Sequence, residues 1–299
     1  MKKSVGVIGL GAMGLGMARN LLKKGFAVTA FDLSADAMTR AAKAGLAVGI
    51  DAADVIAQSD AIILSLPLAE HVEATITAAL QAGAFDQPKL IVDTSTSTAA
   101  VSRKLAGLLA DAGHGFLDAP VSGGPQGAAS GTLSVMLGGD TAWVAKAQPA
   151  LDAMAAKIIH VGGSGAGNIA KLVNNMLVAS HMLTTAEALR LAAASGLSAD
   201  DALRVINSAT GRSAISEIHF PNWVLTGGFD SGFSAGLMRK DVRLALELAA
   251  QTDCDLPVSE LVAQLWSADR SGLRDGDDFM RMGDPHTYAA GTSPEGHLK

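Results

Sequence analysis

The sequence predicts two domains, a doubly wound α/β domain followed by an all-α domain, joined by one long helix. Three observations predict this arrangement. Short β-rich runs alternate with helical stretches as far as residue 161, as in a mostly parallel sheet. Residues 168–194 contain no glycine or proline, which allows one helix of about seven turns. Beyond residue 195 the apolar spacing is helical only. We place the boundary at residue 162, which gives domains of residues 1–162 and 163–299.

Composition narrows the classes of function. The chain has 299 residues, of which 49% are hydrophobic and 17% charged, and its formal net charge is −6. Because the 23 lysines and arginines are scattered over an acidic chain, we expect no nucleic acid and no membrane as partner. Cys254 is the single cysteine, which excludes an internal disulfide and favours a cytoplasmic protein. No apolar stretch approaches the roughly 20 residues of a membrane span, and no histidines have metal-ligand spacing, so no metal is expected.

The first α/β unit carries a glycine motif between a strand and a helix. In VIGLGAMG, Gly9, Gly11 and Gly14 form GxGxxG, and a second β-rich run further on stops at Asp32. Together these elements form the fingerprint of a Rossmann-type domain, in which glycines permit close approach of a pyrophosphate and the acid binds the ribose. A glycine-rich turn in a flavodoxin-like sheet is the alternative. The predicted dinucleotide contacts in this turn are Gly9, Leu10, Gly11, Ala12, Met13 and Gly14.

Asp32 also bears on the choice of cofactor. Its carboxylate can accept hydrogen bonds from ribose hydroxyls, whereas it would repel a 2′-phosphate. No arginine follows it, since the sequence continues Leu33-Ser34. The pattern therefore predicts NAD as the cofactor, with NADP as the alternative.

Two further buried-strand runs end in turns at the same edge of the predicted sheet. Residues 60–66 end at Leu66-Pro67, and residues 89–93 are followed closely by Thr96. Ligands of open α/β sheets bind outside the carboxyl ends of the strands, so Leu66, Pro67 and Thr96 are candidate cofactor contacts. The alternative is that these residues only end the strands and contact no ligand. The remaining elements of this half are strands at 115–118, 132–137 and 157–161 and a helix at 143–154.

The segment APVSGGPQG interrupts the alternation of strands and helices. Ser122, followed by Gly123 and Gly124, can present a hydroxyl and backbone N–H groups to an anion such as a carboxylate. The alternative is a flexible surface loop, although two prolines favour a loop of fixed shape. Both interpretations are left open by the sequence.

The long helix carries three polar residues near its start. Lys171, Asn174 and Asn175 share one face of an otherwise apolar helix. Burial and the positive end of the helix macrodipole both favour the neutral amine, so we expect the pKa of Lys171 to be lowered. A lysine that exchanges a proton near neutral pH is a candidate general acid or base. The alternative is a lysine whose ammonium group extends into water.

Beyond residue 195 the sequence predicts helices at 199–208, 213–226, 235–251 and 258–271. In the third of these, Lys240 lies on a stripe of leucines. A buried cation needs a partner, which a dinucleotide or a bound carboxylate would supply. The alternative is an ion pair within the protein, although the adjacent Asp241 is expected to face elsewhere. The tail from Gly283 lacks periodicity and is expected to be irregular and to pack on a partner subunit.

Four segments, GLGAMGLGMARNLL, DAPVSGGPQGAASGTLSVMLGG, GAGNIAKLVNN and MRKDVRLALELA, follow one another in this order between Gly9 and Ala249. Together they resemble the β-hydroxyacid dehydrogenase family, the group of 3-hydroxyisobutyrate dehydrogenase, tartronate semialdehyde reductase and L-threonate dehydrogenase, related to 6-phosphogluconate dehydrogenase. The resemblance implies that Lys171 is the catalytic lysine and that Asn175 binds substrate hydroxyls. It also implies a substrate-carboxylate site at Ser122, Gly123 and Gly124 and dinucleotide contacts at Leu66, Pro67, Thr96 and Lys240.

One position departs from the family pattern. Four residues after Pro67, where we expect a small or amide residue at the cofactor, this sequence has His71. A histidine on a helix surface is the favoured interpretation.

The expected function is NAD-dependent oxidation of a small 3-hydroxy acid resembling 3-hydroxyisobutyrate, with Lys171 as general acid and base. The alternatives are an NAD(P)H-dependent reductase of tartronate semialdehyde, succinic semialdehyde or glyoxylate, and an L-threonate dehydrogenase. A non-catalytic dinucleotide-binding module is the alternative from another class. The expected partners are a small carboxylate substrate and further copies of the chain, in a homodimer or homotetramer. Residues that recognise the far end of the substrate are expected partly between Ser208 and Phe233, where Arg212 and His219 lie. For Arg212 the alternative is an exposed side chain.

Overall fold

The structure, a computed structural model, describes residues 4–284. It divides into two compact units, Met1–Lys171 and Leu172–Lys299, and the division falls inside one long helix. The domain limits inferred from the sequence, 1–162 and 163–299, stay a prediction. Most of the tail that was predicted to be irregular lies outside the described residues.

The first unit is built on a sheet whose strands are β1 (Ser4–Ile8), β2 (Ala27–Phe31), β3 (Ala47–Val48), β4 (Ala61–Leu64), β5 (Leu90–Asp93), β6 (Gly115–Asp118), β7 (Val121–Ser122), β8 (Leu133–Gly138) and β9 (Ala155–Gly162). Within the described residues the strand order is β3-β2-β1-β4-β5-β6-β8-β7, and β9 pairs with β8. Strands β1 to β6 are parallel, whereas β8 runs antiparallel to β6 and β7. The chain therefore changes direction across the sheet between β1 and β4, which is where such sheets bind ligands.

Helices cover both faces of this sheet. They are α1 (Gly14–Lys23), α2 (Ala35–Lys43), α3 (Ala52–Ala57), α4 (Ala69–Gln81), α5 (Ala99–Asp111), α6 (Gly124–Ser130) and α7 (Thr141–Met154). One apolar layer contains Leu21 of α1 and Leu151 of α7, and the other contains Ile56 of α3, Ile76 of α4 and Leu105 of α5. Because the central strands β4, β5 and β6 are covered on both sides, they are buried along almost their whole length instead of alternating between buried and exposed residues.

The described part of the second unit is built from helices. Helix α8 (Ala166–Ala194) begins in the first unit and is followed by α9 (Ala199–Ser208), a π-helix (Ile215–Val224), α10 (Ala235–Gln251), α11 (Pro257–Trp266), α12 (Ala268–Ser271) and a 3₁₀ helix (Phe279–Gly283). Trp266, Phe220 and Met182 lie at the centre of its apolar core. The predicted fold class, a Rossmann-type α/β domain and an all-α domain with a long helix between them in sequence, is confirmed.

Two of the predicted helices differ from the structure. The segment 213–226 contains the π-helix instead of an α-helix. Pro221 lies inside it and has no backbone N–H to donate to the carbonyl four residues earlier, which favours the wider turn. The segment 258–271 is split into α11 and α12, since the backbone of Ser267 is extended at φ −56° and ψ 151°.

Helix α8 is less completely buried than its apolar sequence suggests. Val173 and Leu177 are 47% and 49% exposed on one side of it, whereas Leu172 and Ala179 are buried on the other. No helix within residues 4–284 has the length and apolarity that a membrane crossing requires. The homodimer or homotetramer expected from the sequence stays a prediction.

Candidate active site

The turn after β1 shows why two of its positions need glycine, and it leaves open space at a third. Gly9 has φ +93°, and a Cβ atom there would lie 2.3 Å from the carbonyl oxygen of Ser65, which follows β4. A Cβ atom on Gly14 would lie 1.8 Å from the carbonyl oxygen of Gly9. Around Gly11, in contrast, no atom lies within 4 Å of the position that a Cβ would take. The loops after β1 and β4 thus lie against each other, and the open space at Gly11, beside the start of α1, suits a pyrophosphate group.

Asp32, at the end of β2, is tied to the same turn by hydrogen bonds. Its Oδ2 accepts the Leu10 N–H at 2.6 Å, and its Oδ1 accepts the Ser34 N–H at 2.8 Å. The carboxylate is half-buried, and each of its oxygens retains a lone pair for a ribose hydroxyl. Among the other predicted contacts, Leu10 is buried, Met13 is half-buried and Ala12 is exposed. The structure therefore brings the predicted acid and the predicted glycine turn together.

The loops after β4 and β5 are joined by the side chain of Ser95. Its Oγ accepts the Leu66 N–H at 2.9 Å, while its own N–H donates to Asp93 Oδ1 at 3.0 Å. Pro67 is exposed and Thr96 is half-buried. Leu66, Pro67 and Thr96 thus follow the carboxyl ends of β4 and β5, of which β4 pairs with β1. Their contact with a dinucleotide stays a prediction.

The segment that contains Ser122 is more regular than the shaped or flexible loop considered from the sequence. Strand β7 ends at Ser122 and helix α6 begins at Gly124, so that only Gly123 lies between them. Gly123 and Gly124 have φ of +123° and +60°, a backbone that residues with a side chain rarely adopt. Ser122 is half-buried and Gly123 is exposed, so the hydroxyl and the N–H groups predicted to bind a carboxylate are accessible.

Lys171 lies in the second turn of α8 and is only 7% exposed. The alternative of a lysine that extends into bulk water is therefore wrong. The start of the helix is capped by Asp118, which accepts the Gly165 N–H at 2.7 Å and the Asn168 N–H at 3.0 Å. This carboxylate lies at the positive end of the helix macrodipole and offsets it.

In the second unit, Asp241 joins two of the predicted site residues. Asn175 Nδ2 donates to Asp241 Oδ2 at 2.6 Å, and Lys240 Nζ lies 3.3 Å from Asp241 Oδ1. The expectation that Asp241 faces away from Lys240 was wrong, because the flexible lysine stem lets Nζ reach back to its neighbour. Lys240 therefore forms the ion pair that was the alternative to a bound ligand, and its contact with a dinucleotide stays a prediction. Asn174 completes the group, as its Nδ2 donates to Asn175 Oδ1 at 3.0 Å.

Three further positions considered from the sequence lie at or near the surface. His71 is exposed on α4, which agrees with the favoured interpretation of a histidine on a helix surface. Arg212 is also exposed. His219 is half-buried in the π-helix beside Trp223; burial lowers its pKa, and a hydrogen bond to the carbonyl of Ala214 partly offsets this effect.

Three buried polar residues were missed by the sequence reasoning. Asp118 and Asn168 are fully buried, and Asp241 is 1% exposed. A carboxylate or amide isolated in an apolar stretch was the signal that could have found Asp118 and Asn168, since a buried polar group needs hydrogen-bond partners. Asp241 follows Arg239 and Lys240, so its sequence neighbours gave no such signal. Within residues 4–284 no cluster of three or more metal-ligating side chains occurs.

Two family models match the chain. Residues 4–162 match the NAD binding domain of 6-phosphogluconate dehydrogenase. Residues 165–284 match the family described as NAD-binding of NADP-dependent 3-hydroxyisobutyrate dehydrogenase.

Similar proteins match over almost the whole chain. The 2-(hydroxymethyl)glutarate dehydrogenase of Eubacterium barkeri is 38% identical over 283 residues, which cover 91% of each chain. The NAD-dependent L-serine dehydrogenase of Pseudomonas aeruginosa is 37% identical over 271 residues, 88% of this chain and 91% of that one. A solved structure of the Mycobacterium tuberculosis 3-hydroxyisobutyrate dehydrogenase with L-serine has a TM-score of 0.88 and 37% identity, and the match covers 97% of this chain and 100% of that one.

Proposed function

This chain belongs to the β-hydroxyacid dehydrogenase family of NAD(P)-binding oxidoreductases, and we propose that it oxidises 2-substituted 3-hydroxypropanoates with NAD. The names of the three similar proteins support this substrate class, since they give 2-(hydroxymethyl)glutarate, L-serine and 3-hydroxyisobutyrate. Each of these compounds has a carboxylate on C2 and a primary hydroxyl on C3, and they differ only in the further group on C2. The product of the oxidation is the corresponding semialdehyde.

The first unit fits a nicotinamide dinucleotide. The open space at Gly11 would admit the pyrophosphate, and the half-buried Asp32 carboxylate would accept hydrogen bonds from the ribose. When bound, NAD⁺ supplies the carbon that accepts a hydride. Leu66, Pro67, Thr96 and Lys240 are the further residues that we assign to holding it.

The proposed role of Lys171 is to take and return a proton. Oxidation of the alcohol removes a hydride with two electrons from C3 and a proton from the hydroxyl. Neutral Lys171 Nζ accepts that proton, and in the reverse reduction its ammonium form donates it. A free lysine with a pKa of about 10.4 is almost fully protonated at neutral pH, so the amine must be desolvated to work as a base. The burial of Lys171, at 7% exposure, is the observation that carries the proposal.

The remaining site residues are proposed to bind and orient the substrate. The Ser122 hydroxyl and the N–H groups of Gly123 and Gly124 would hold its carboxylate. Asn175, whose amide is oriented by Asp241, would bind a hydroxyl. Holding the reacting carbon in place accounts for a large part of the rate enhancement in such a site.

The test is an initial-rate screen with NAD and NADP in parallel. We expect turnover with 3-hydroxyisobutyrate, L-serine or 2-(hydroxymethyl)glutarate, and at least a tenfold lower kcat/KM for glycolate, which has no C3 hydroxyl. Faster reduction of tartronate semialdehyde, succinic semialdehyde or glyoxylate with NADPH, or faster oxidation of L-threonate, would favour the alternative enzymes instead. NADH binding without turnover of any of these compounds would reject the proposal in favour of a non-catalytic module.

A further inference from the structure

The N-terminus of α8 is capped from a distant part of the chain. Asp118 at the end of β6 is fully buried, and its two oxygens accept the N–H groups of Gly165 and Asn168, 47 and 50 residues further along. Helix caps usually come from the residue that precedes the helix. A fully buried carboxylate is unfavourable unless hydrogen bonds and charge compensate it, and here the first turn of α8 does both.

The surroundings of this carboxylate leave room for nothing larger than hydrogen at two positions. A Cβ atom on Gly138, which pairs with Asp118 across β6 and β8, would lie 2.7 Å from both carboxylate oxygens. A Cβ atom on Gly167 would lie 2.4 Å from the carbonyl oxygen of Met136 and 2.6 Å from that of Asp118. The first turn of α8 therefore lies directly against the ends of these two strands.

Asn168 fixes the same turn at a second point. Its Oδ1 accepts the Ser97 N–H at 2.9 Å, and its Nδ2 donates to Ser102 Oγ at 2.9 Å. Asn168, Ser97 and Ser102 are all fully buried. Two anchors on different sides of one turn determine both how far the helix extends and how it is rotated about its axis.

Lys171 follows Asn168 by three residues, which is less than one helical turn and a rise of about 4.5 Å. The backbone of Lys171 is therefore placed by the turn that Asp118 and Asn168 hold. Misplacing a reacting group by 1 Å can lower a rate by about 100-fold. We propose that Asp118 is a positioning residue, which acts on the reaction through Lys171 by fixing the start of α8; this rests on the function proposed above.

The first test is Asp118→Asn. Asparagine has the same size, but it has only one acceptor oxygen, and its amide N–H group would face an N–H group of the helix. We expect kcat to fall by about 10- to 100-fold, whereas KM and the Kd of NADH change by less than threefold. Asp140→Ala is the matched control, since it removes the side-chain cap of α7 in the same unit; we expect it to lower Tm and leave kcat unchanged.

A merely structural role of Asp118 would give a different result. In that case Asp118→Asn would lower Tm while the enzyme that remains folded keeps its kcat, and the proposal would be overturned. If Asp118→Asn does not fold, Gly138→Ala replaces it, because its Cβ would lie 2.7 Å from both carboxylate oxygens and from the Gly167 N atom and would displace the contact between them without removing Asp118. The same fall in kcat at constant KM is then expected, and an unchanged kcat would again overturn the proposal.

A double variant separates this proposal from the function on which it rests. In the Lys171→Ala background, where no amine remains to be misplaced, we expect Asp118→Asn to change the residual rate by less than twofold. A fall equal to that seen with Lys171 present would show that Asp118 acts by another route. Full turnover of Lys171→Ala alone would reject the proposed function itself. An inactive Lys171→Ala together with a fully active Asp118→Asn would reject only the role of Asp118.

Discussion

Replacing Asp32 by asparagine should weaken the preference for NAD over NADP. The change keeps the size of the side chain and removes its charge. In the wild type the carboxylate would accept hydrogen bonds from the ribose hydroxyls of NAD, whereas it would repel the 2′-phosphate of NADP. The structure shows that this side chain also holds the glycine turn, through the N–H groups of Leu10 and Ser34.

The magnitude follows from the position of the carboxylate. Two unit charges 4 Å apart interact by about 1 kcal/mol in bulk water and about 4 kcal/mol at an effective dielectric constant of 20. Asp32 is half-buried, so we expect about 2 kcal/mol of discrimination, a factor of about 30 in kcat/KM. Asparagine can accept only one of the two N–H groups with its single oxygen, and the lost hydrogen bond should cost about 1 kcal/mol, which is about fivefold in kcat/KM for NAD.

The assay is the ratio of kcat/KM for NAD to kcat/KM for NADP with one hydroxy acid. We expect this ratio to fall by about 30-fold in Asp32→Asn. Asp36→Asn, which removes an exposed charge from the first turn of α2, is the control and should leave the ratio unchanged. A ratio that changes by less than threefold in Asp32→Asn, or by about 30-fold in the control as well, would show that the charge of Asp32 does not determine the preference for NAD.

Three further predictions concern NADH binding and stability. Gly14→Ala should raise the Kd of NADH at least about tenfold and lower Tm, because its Cβ would lie 1.8 Å from the Gly9 carbonyl oxygen. In Gly107→Ala, in contrast, the Cβ added to α5 meets no atom within 4 Å. This variant should raise the free energy of unfolding by about 0.5–1 kcal/mol. Burial and the nearby Lys89 lower the pKa of His114, so the unfolded chain binds its proton more readily and the free energy of unfolding should fall as the pH drops through 6.5. His114→Asn keeps an acceptor for the Lys89 N–H and should make this fall smaller.

Each of these outcomes has a measurement that can contradict it. Fluorescence titration measures the Kd of NADH, and an unchanged value in Gly14→Ala would show that the turn tolerates a side chain. Urea denaturation between pH 5 and 8 measures the free energy of unfolding. Identical pH dependence in the wild type and in His114→Asn would exclude this histidine as a source of the effect.

The parts of the structure that follow from local chemistry could be predicted from the sequence. Gly9, Gly11 and Gly14 specify the turn between β1 and α1, since the spacing of these glycines has one common structural use. The strand that ends at Asp32 could be placed from its apolar run and its terminal acid. The absence of glycine and proline from residues 168–194 predicted a single helix, and Ala166–Ala194 forms one.

The parts of the structure that depend on partners distant in the sequence could not be predicted. Asp118 appeared only as the end of a short strand, because its hydrogen bonds go to residues 47 and 50 positions away. The orientation of Asp241 toward Lys240 and Asn175 depends on side-chain rotamers and on the packing of α8 against α10 within the second unit. Val173 and Leu177 are as apolar as their buried neighbours, so composition alone did not show which side of α8 is exposed.

In the proposed reaction, the buried amine of Lys171 exchanges the proton of the substrate hydroxyl. The most direct test of this role compares Lys171→Ala with Lys104→Ala, a control on the exposed face of α5, in single-turnover hydride transfer and in NADH titration. We expect the Kd of NADH to stay within threefold of the wild type in both variants. The rate of hydride transfer should fall by at least about 1,000-fold in Lys171→Ala only. Hydride transfer by Lys171→Ala within tenfold of the wild-type rate would contradict the proposed role of Lys171 as general acid and base.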